Sequence, residues 1–184
     1  MPYGSVPARA WWVPRGFIES SRPASWGSRQ DWDWGLIELA RPVQGINRFA
    51  PLRPLDDAAF RELAEKSRIT VAGYPSDRPI GTMWRHRERI VGFTPQRVFH
   101  TVDTCPGHSG SAILADFGGK PGIVGVHTAG LLDAEGQTYG CKRGTVLAPI
   151  GSRNSGVRLR RPILAALRTP AAPRPGPAQM VRLP

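Results

Sequence analysis

The sequence predicts an all-β protein, a sandwich or barrel of many short strands with few helices. Three observations predict it. Of 184 residues, 21 are glycine and 19 proline, together more than a fifth of the chain, a composition that favours short strands joined by turns. Apolar runs recur about every ten residues, separated by the turn signals Pro75-Ser76-Asp77, Thr94-Pro95, Phe117-Gly118-Gly119 and Glu135-Gly136. Long charged helical runs are absent.

Residues 1–30 read as irregular apart from a strand at 8–13. The compact apolar run 34–39, with Glu38 embedded, reads as a buried strand. A proline-bearing stretch leads to a short helix over 56–63, because Asp56 is a good N-cap residue and Phe60, Leu63 and Ala64 share one face. Strands are expected at 68–74, 83–92, 97–102, 111–115, 122–127 and 137–150. A closing helix over 162–168 starts on a proline. The Pro/Ala-rich end, 169–184, has no core-forming pattern and is expected to be disordered.

The net charge is +11, which raises the question of an anionic partner. The arginines are scattered, with one cluster at Arg153, Arg158, Arg160 and Arg161, and no polybasic block is interleaved with aromatics. Nucleic acid is therefore not expected as the main partner. No window is long and apolar enough to cross a membrane, and no signal-peptide pattern opens the chain. Cys105 and Cys141 permit one disulfide and lack the neighbours of a zinc site. No metal and no cofactor are expected.

The residues that carry chemistry are Gly107-His108-Ser109-Gly110-Ser111. A serine hydroxyl becomes a nucleophile when a base takes its proton and nearby donors stabilise the oxyanion it creates. Gly107 lets the backbone turn its N–H toward the reaction centre, and Gly110 lets substrate approach. The N–H groups of Gly107 and Ser109 would form an oxyanion hole in such a loop. By itself the pentapeptide reads equally well as a glycine-rich turn. The Gly-x-Ser-x-Gly elbow of α/β-hydrolases is excluded, since it needs glycine at Ser111 and a helix after the serine.

The wider context decides. The stretch from His100 through Asp103-Thr104-Cys105-Pro106 to Ser111 resembles the nucleophile loop of the glutamyl endopeptidase (V8-like) branch of the chymotrypsin-like serine proteases. Val71-Ala72-Gly73-Tyr74-Pro75, Gly81-Thr82-Met83-Trp84 and Gly122-Ile123-Val124-Gly125-Val126-His127-Thr128-Ala129-Gly130 are similar to that branch's segments in the same order. The resemblance runs from about Trp12 to Arg168. It implies a double β-barrel with the first barrel incomplete at the N-terminus: a remnant over 1–54, a second barrel with its closing helix over 55–168, and the tail 169–184. It implies a monomeric serine endopeptidase acting on peptides or proteins, secreted in the parent form.

The same resemblance assigns the triad's acid to Asp33, in Asp33-Trp34-Gly35-Leu36-Ile37-Glu38-Leu39; Asp31 lacks that continuation. It places Thr104, His127 and Asp103 at the substrate pocket. A histidine there suits an acidic side chain, whereas Asp103 would suit a basic one unless turned away into a structural hydrogen bond; acidic is favoured. It also implies a Cys105–Cys141 bridge across the pocket walls, in keeping with an oxidising compartment. The base should be a histidine upstream of the acid, yet His86, His100, His108 and His127 all follow Asp33. A serine without its base loses on the order of 10⁴–10⁶ in kcat. The expectation is a truncated form of a serine endopeptidase, or else a non-catalytic pseudoprotease that binds.

Overall fold

Two-residue alternation lays down a barrel. In β3 (Arg68–Gly73), Ile69, Val71 and Gly73 are buried while their neighbours face outward. β5 (Arg97–His100) turns Val98 and His100 inward, and β6 (Ala112–Asp116) does the same with Ile113 and Ala115. With β4 (Trp84–Phe93), β7 (Pro121–Leu132) and β8 (Arg153–Arg158) they close in the order β3-β4-β5-β8-β7-β6. Every pairing is antiparallel. This is a computed structural model, and it describes residues 3–19, 28–132 and 153–184.

The barrel interior is Ile69, Val71, Ile90, Val98, Val102, Ile113 and Val124, joined by Phe60 and Leu63. Each such side chain contributes about 1.5–3 kcal/mol on leaving water. Phe60 and Leu63 come from α2 (Asp57–Lys66), whose N-cap Asp56 accepts from the Ala59 N–H at 2.9 Å. That helix fits the sequence expectation, extended by one turn.

β8 was not legible as a strand. Its residues Arg-Asn-Ser-Gly-Val-Arg carry no apolar alternation, yet nearly all are buried because β5 and β7 flank it. Arg158, one of the clustered arginines noted in the sequence, is fully buried. Its guanidinium lies over Phe60 and Phe93 at 4.2 and 4.8 Å and bonds Asp57 and the Thr94 carbonyl at 2.8 and 2.7 Å.

The barrel and α2 form one compact unit, Leu52–Arg160; Met1–Pro51 and Arg161–Pro184 form the other. The second contains the three-stranded sheet β2-β1-β9, with β1 (Ala8–Pro14) central, β2 (Leu36–Leu39) and β9 (Met180–Leu183) at its edges. A one-turn helix α1 (Arg15–Ile18) follows β1, and α3 (Arg161–Arg168) matches the expected closing helix. Two expectations are corrected here. Helix α3 groups with the N-terminal residues and not with the barrel. The tail is ordered: β9 pairs with β1 from Trp11↔Leu183 to Pro14↔Met180, and Arg174 bonds the carbonyls of Ala165, Thr169 and Ala172. Backbone pairing and a guanidinium clamp need no apolar periodicity, so composition concealed them. The expected strand at 137–150 lies outside the described residues.

Candidate active site

The loop between β5 and β6 holds the candidate nucleophile. Gly107 and Gly110 adopt φ of +99° and +85°, the left-handed region. A Cβ on Gly107 would stand 2.2 Å from the Tyr74 carbonyl oxygen, so no other residue fits there without moving the chain. The Pro106 carbonyl accepts from the Ser76 N–H at 2.8 Å, and the Gly110 N–H donates to the His127 carbonyl at 2.8 Å. The loop is thus tied to both the β3–β4 connection and β7. Ser109 is exposed, and its Oγ donates to the Thr128 carbonyl at 3.4 Å. Among the described residues, the N–H groups of Gly107 and Ser109 donate to no other group.

All four histidines are described, and none hydrogen-bonds Ser109. His108 is tucked beneath the loop, its Nδ1 at 3.0 Å from the Cys105 N–H. His86 is exposed, and its Nδ1 accepts from the Asp103 N–H at 2.9 Å. His100 and His127 are fully buried, with ring centroids 5.4 Å apart. Burial, then the neighbouring His127, lowers the His100 pKa to about 3. Burial and then the neighbouring His108 lower that of His127 to about 4, opposed by a bond from its ring to the Ser155 backbone. Both rings are neutral at pH 7. Among the described residues, neither nitrogen of His100 has a hydrogen-bond partner, nor have His127 Nδ1 and the buried Thr104 Oγ1.

Unpaired buried polar atoms cost stability, of order 1–3 kcal/mol each. Four such atoms, on Thr104, His100 and His127, lie in this part of the described residues. Sequence reading of His100 goes no further than a core or pocket-lining histidine, and it is not among the expected site residues. The signal was its position two residues after Val98, on the inward face of β5.

Asp103 is exposed, with its N–H spent on His86. With Thr104, Cys105 and His108 it lines a small cavity of about 70 Å³ that Pro75, Asp77, Arg78 and Trp84 close from the other side. Cys105 is not a free thiol; Cys141 lies outside the described residues.

In the other unit, Asp31 and Asp33 separate by role. The Asp31 carboxylate accepts from the Ser28 N–H at 2.8 Å and caps the 3-10 turn Arg29–Trp32. Asp33 ends that turn and leads through buried Trp34 into β2. Its carboxylate is therefore not the capping one.

Comparison with known proteins converges on one group. Over 149 residues, 78% of this chain, the sequence is 27% identical to the glutamyl endopeptidase of Bacillus licheniformis. The glutamyl endopeptidase of Staphylococcus aureus is 33% identical over 99 residues, 54% of the chain. A solved structure of a Glu endopeptidase in complex with MPD superposes with a TM-score of 0.66 at 20% identity, covering 93% of this chain and 66% of that one. The chain is a chymotrypsin-fold homologue of the glutamyl endopeptidases. It spans 42% of the Bacillus protein and 29% of the Staphylococcus aureus one. No family model matches. Among the described residues no helix is long and apolar enough to cross a membrane.

Proposed function

We propose that the chain carries the nucleophile and the specificity pocket of a serine-type endopeptidase. Ser109 would attack the scissile carbonyl. The open N–H groups of Gly107 and Ser109 would receive the oxyanion, and Asp33 would be the carboxylate that orients a catalytic histidine. The observation that carries this reading is the left-handed Gly107-to-Gly110 loop that exposes the Ser109 hydroxyl and leaves both N–H groups without an acceptor.

The pocket reading rests on the buried orphan atoms. A substrate carboxylate reaching Thr104 would accept from its hydroxyl, and beside His127 it would favour the protonated ring, whose Nδ1 could then donate to it as well. An acidic side chain therefore fits better than a basic one. Asp103 does not oppose it, being exposed and bonded through its backbone to His86. A Cys105–Cys141 bridge belongs to the same proposal, as does a secreted parent enzyme.

Among the described residues, which include all four histidines, none hydrogen-bonds Ser109, so the chain's own hydrolysis is expected to be slow. That same fact favours a second reading, a non-catalytic protein that keeps the pocket and binds acidic peptides. A fluorophosphonate probe separates the two. Slow labelling that is absent in Ser109→Ala and faster with added imidazole supports the endopeptidase; no labelling under either condition supports the binding protein. Cleavage after Glu in preference to Gln, lost in His127→Leu, tests the pocket.

A further inference from the structure

A second depression lies on the outer surface of the same barrel, and it is chemically unlike the first. It is an open groove of about 570 Å³ where β3, β4 and β6 present their outward faces, lined by Arg68, Arg85, His86, Arg87 and Asp116 among others. Strand register explains the concentration of charge. Arg87 stands opposite Thr70 on β3, which in turn faces Leu114 on β6, so these side chains share the outer face. Arg85, Arg87 and Arg89 recur at every second position of β4 and are all exposed.

The fold gains little from this arrangement. Arg89 is placed opposite Arg68, and like charges directly opposite across a sheet are destabilising. Arg68 has a carboxylate at 3.5 Å, Glu88, but that pair is largely solvent-exposed and worth little. Three guanidiniums against the one carboxylate of Asp116 leave the groove with surplus positive charge.

Arg85 and His86 also line the small cavity under the nucleophile loop, with Asp103, Thr104 and His108. The groove is therefore continuous with the segment that carries Ser109. His86 Nδ1 accepts from the Asp103 N–H, so the proton of its neutral ring resides on Nε2, a donor at the junction.

We infer that this groove is a docking site for an acidic peptide segment, a region of the substrate beyond the residues at the scissile bond. The choice of a peptide as occupant rests on the endopeptidase reading. Guanidinium forks match carboxylates in pairs. The groove lining contains no Phe, Tyr or Trp, so it lacks the stacking platforms on which single-stranded nucleic acid depends.

The test is fluorescence anisotropy of a labelled polyglutamate peptide against the full chain at low and physiological ionic strength. Salt-sensitive binding is expected, weakened about tenfold in Arg85→Gln/Arg87→Gln. It is expected unchanged in Arg61→Gln, an exposed arginine on α2, and in Ser109→Ala and His127→Leu. The single variant Arg87→Gln, with an intermediate loss, guards against misfolding of the double one. Undiminished binding by the double variant overturns the inference, as does equal binding of polyglutamine or displacement by an oligothymidylate at lower concentration. Loss of binding in His127→Leu overturns it too, because the peptide would then sit in the specificity pocket. Groove binding that persists while Ser109 fails to label leaves the docking site standing and removes only the endopeptidase reading.

Discussion

The barrel buries two polar centres, and they are built on opposite terms. At one end of β8, Arg158 is fully enclosed and mostly satisfied: Asp57, the Thr94 carbonyl and two aromatic faces surround its guanidinium, and among the described residues Nε alone finds no acceptor. Toward the other end, Asn154 stands opposite His100 and Gly156 opposite His127. There the two imidazoles and Thr104 are equally enclosed but left with unpaired atoms. A buried charge held by an ion pair, a carbonyl and two ring faces is tolerated by the fold and costly to deprive of those partners. Buried polar atoms without partners cost the fold free energy, and the cost is intelligible when a ligand completes them. The contrast sets a structural polar centre beside the proposed recognition centre along β8 and its two neighbours.

Four substitutions sharpen or break that contrast, in falling order of effect. Gly107→Ala meets both a left-handed φ and the Tyr74 carbonyl 2.2 Å away. We expect about 2–4 kcal/mol of destabilisation by urea denaturation and loss of fluorophosphonate labelling at Ser109. Arg158→Ala is expected to cost about 3 kcal/mol, since it opens a cavity against Phe60 and Phe93 and orphans the Thr94 carbonyl. If it cost nothing, the satisfied half of the contrast would fail.

His100→Leu is expected to behave in the opposite way, neutral or stabilising by up to about 1 kcal/mol at pH 7, because it removes two unsatisfied nitrogens. Asp57→Asn comes last, at about 1 kcal/mol or less. Its side chain is 62% exposed, so solvent screens the pair although Arg158 is enclosed.

The histidines also predict a pH dependence, measured as the thermal midpoint against pH. The pKa values of His100 and His127 are lowered in the fold from 6.5 to about 3 and about 4. Between those values and 6.5 the unfolded chain binds protons that the folded chain does not. Stability is thus fully present above about pH 6.5 and falls as the pH drops toward 4, each histidine adding up to about 1.4 kcal/mol per pH unit. His100→Leu should flatten the curve by one proton. An unchanged slope would mean that the buried imidazole does not resist protonation.

What the sequence determined by itself was local. Strand alternation, as in Arg68–Gly73, and the Asp56 cap are written in neighbouring residues. So is the Gly-x-Ser-Gly loop, because positive φ selects glycine wherever it occurs. Tertiary structure decided the rest. β8 is a strand because β5 and β7 flank it, not because Arg-Asn-Ser-Gly-Val-Arg alternates. β9 is ordered because β1 offers it a ladder. Arg158 is a core charge because β8 is flanked on both sides and Phe60 and Phe93 cover its guanidinium. His100 and His127 lie 27 positions apart in sequence, and only barrel closure brings their rings within 5.4 Å. Proximity between distant residues is set by the path of the backbone, which no local pattern records.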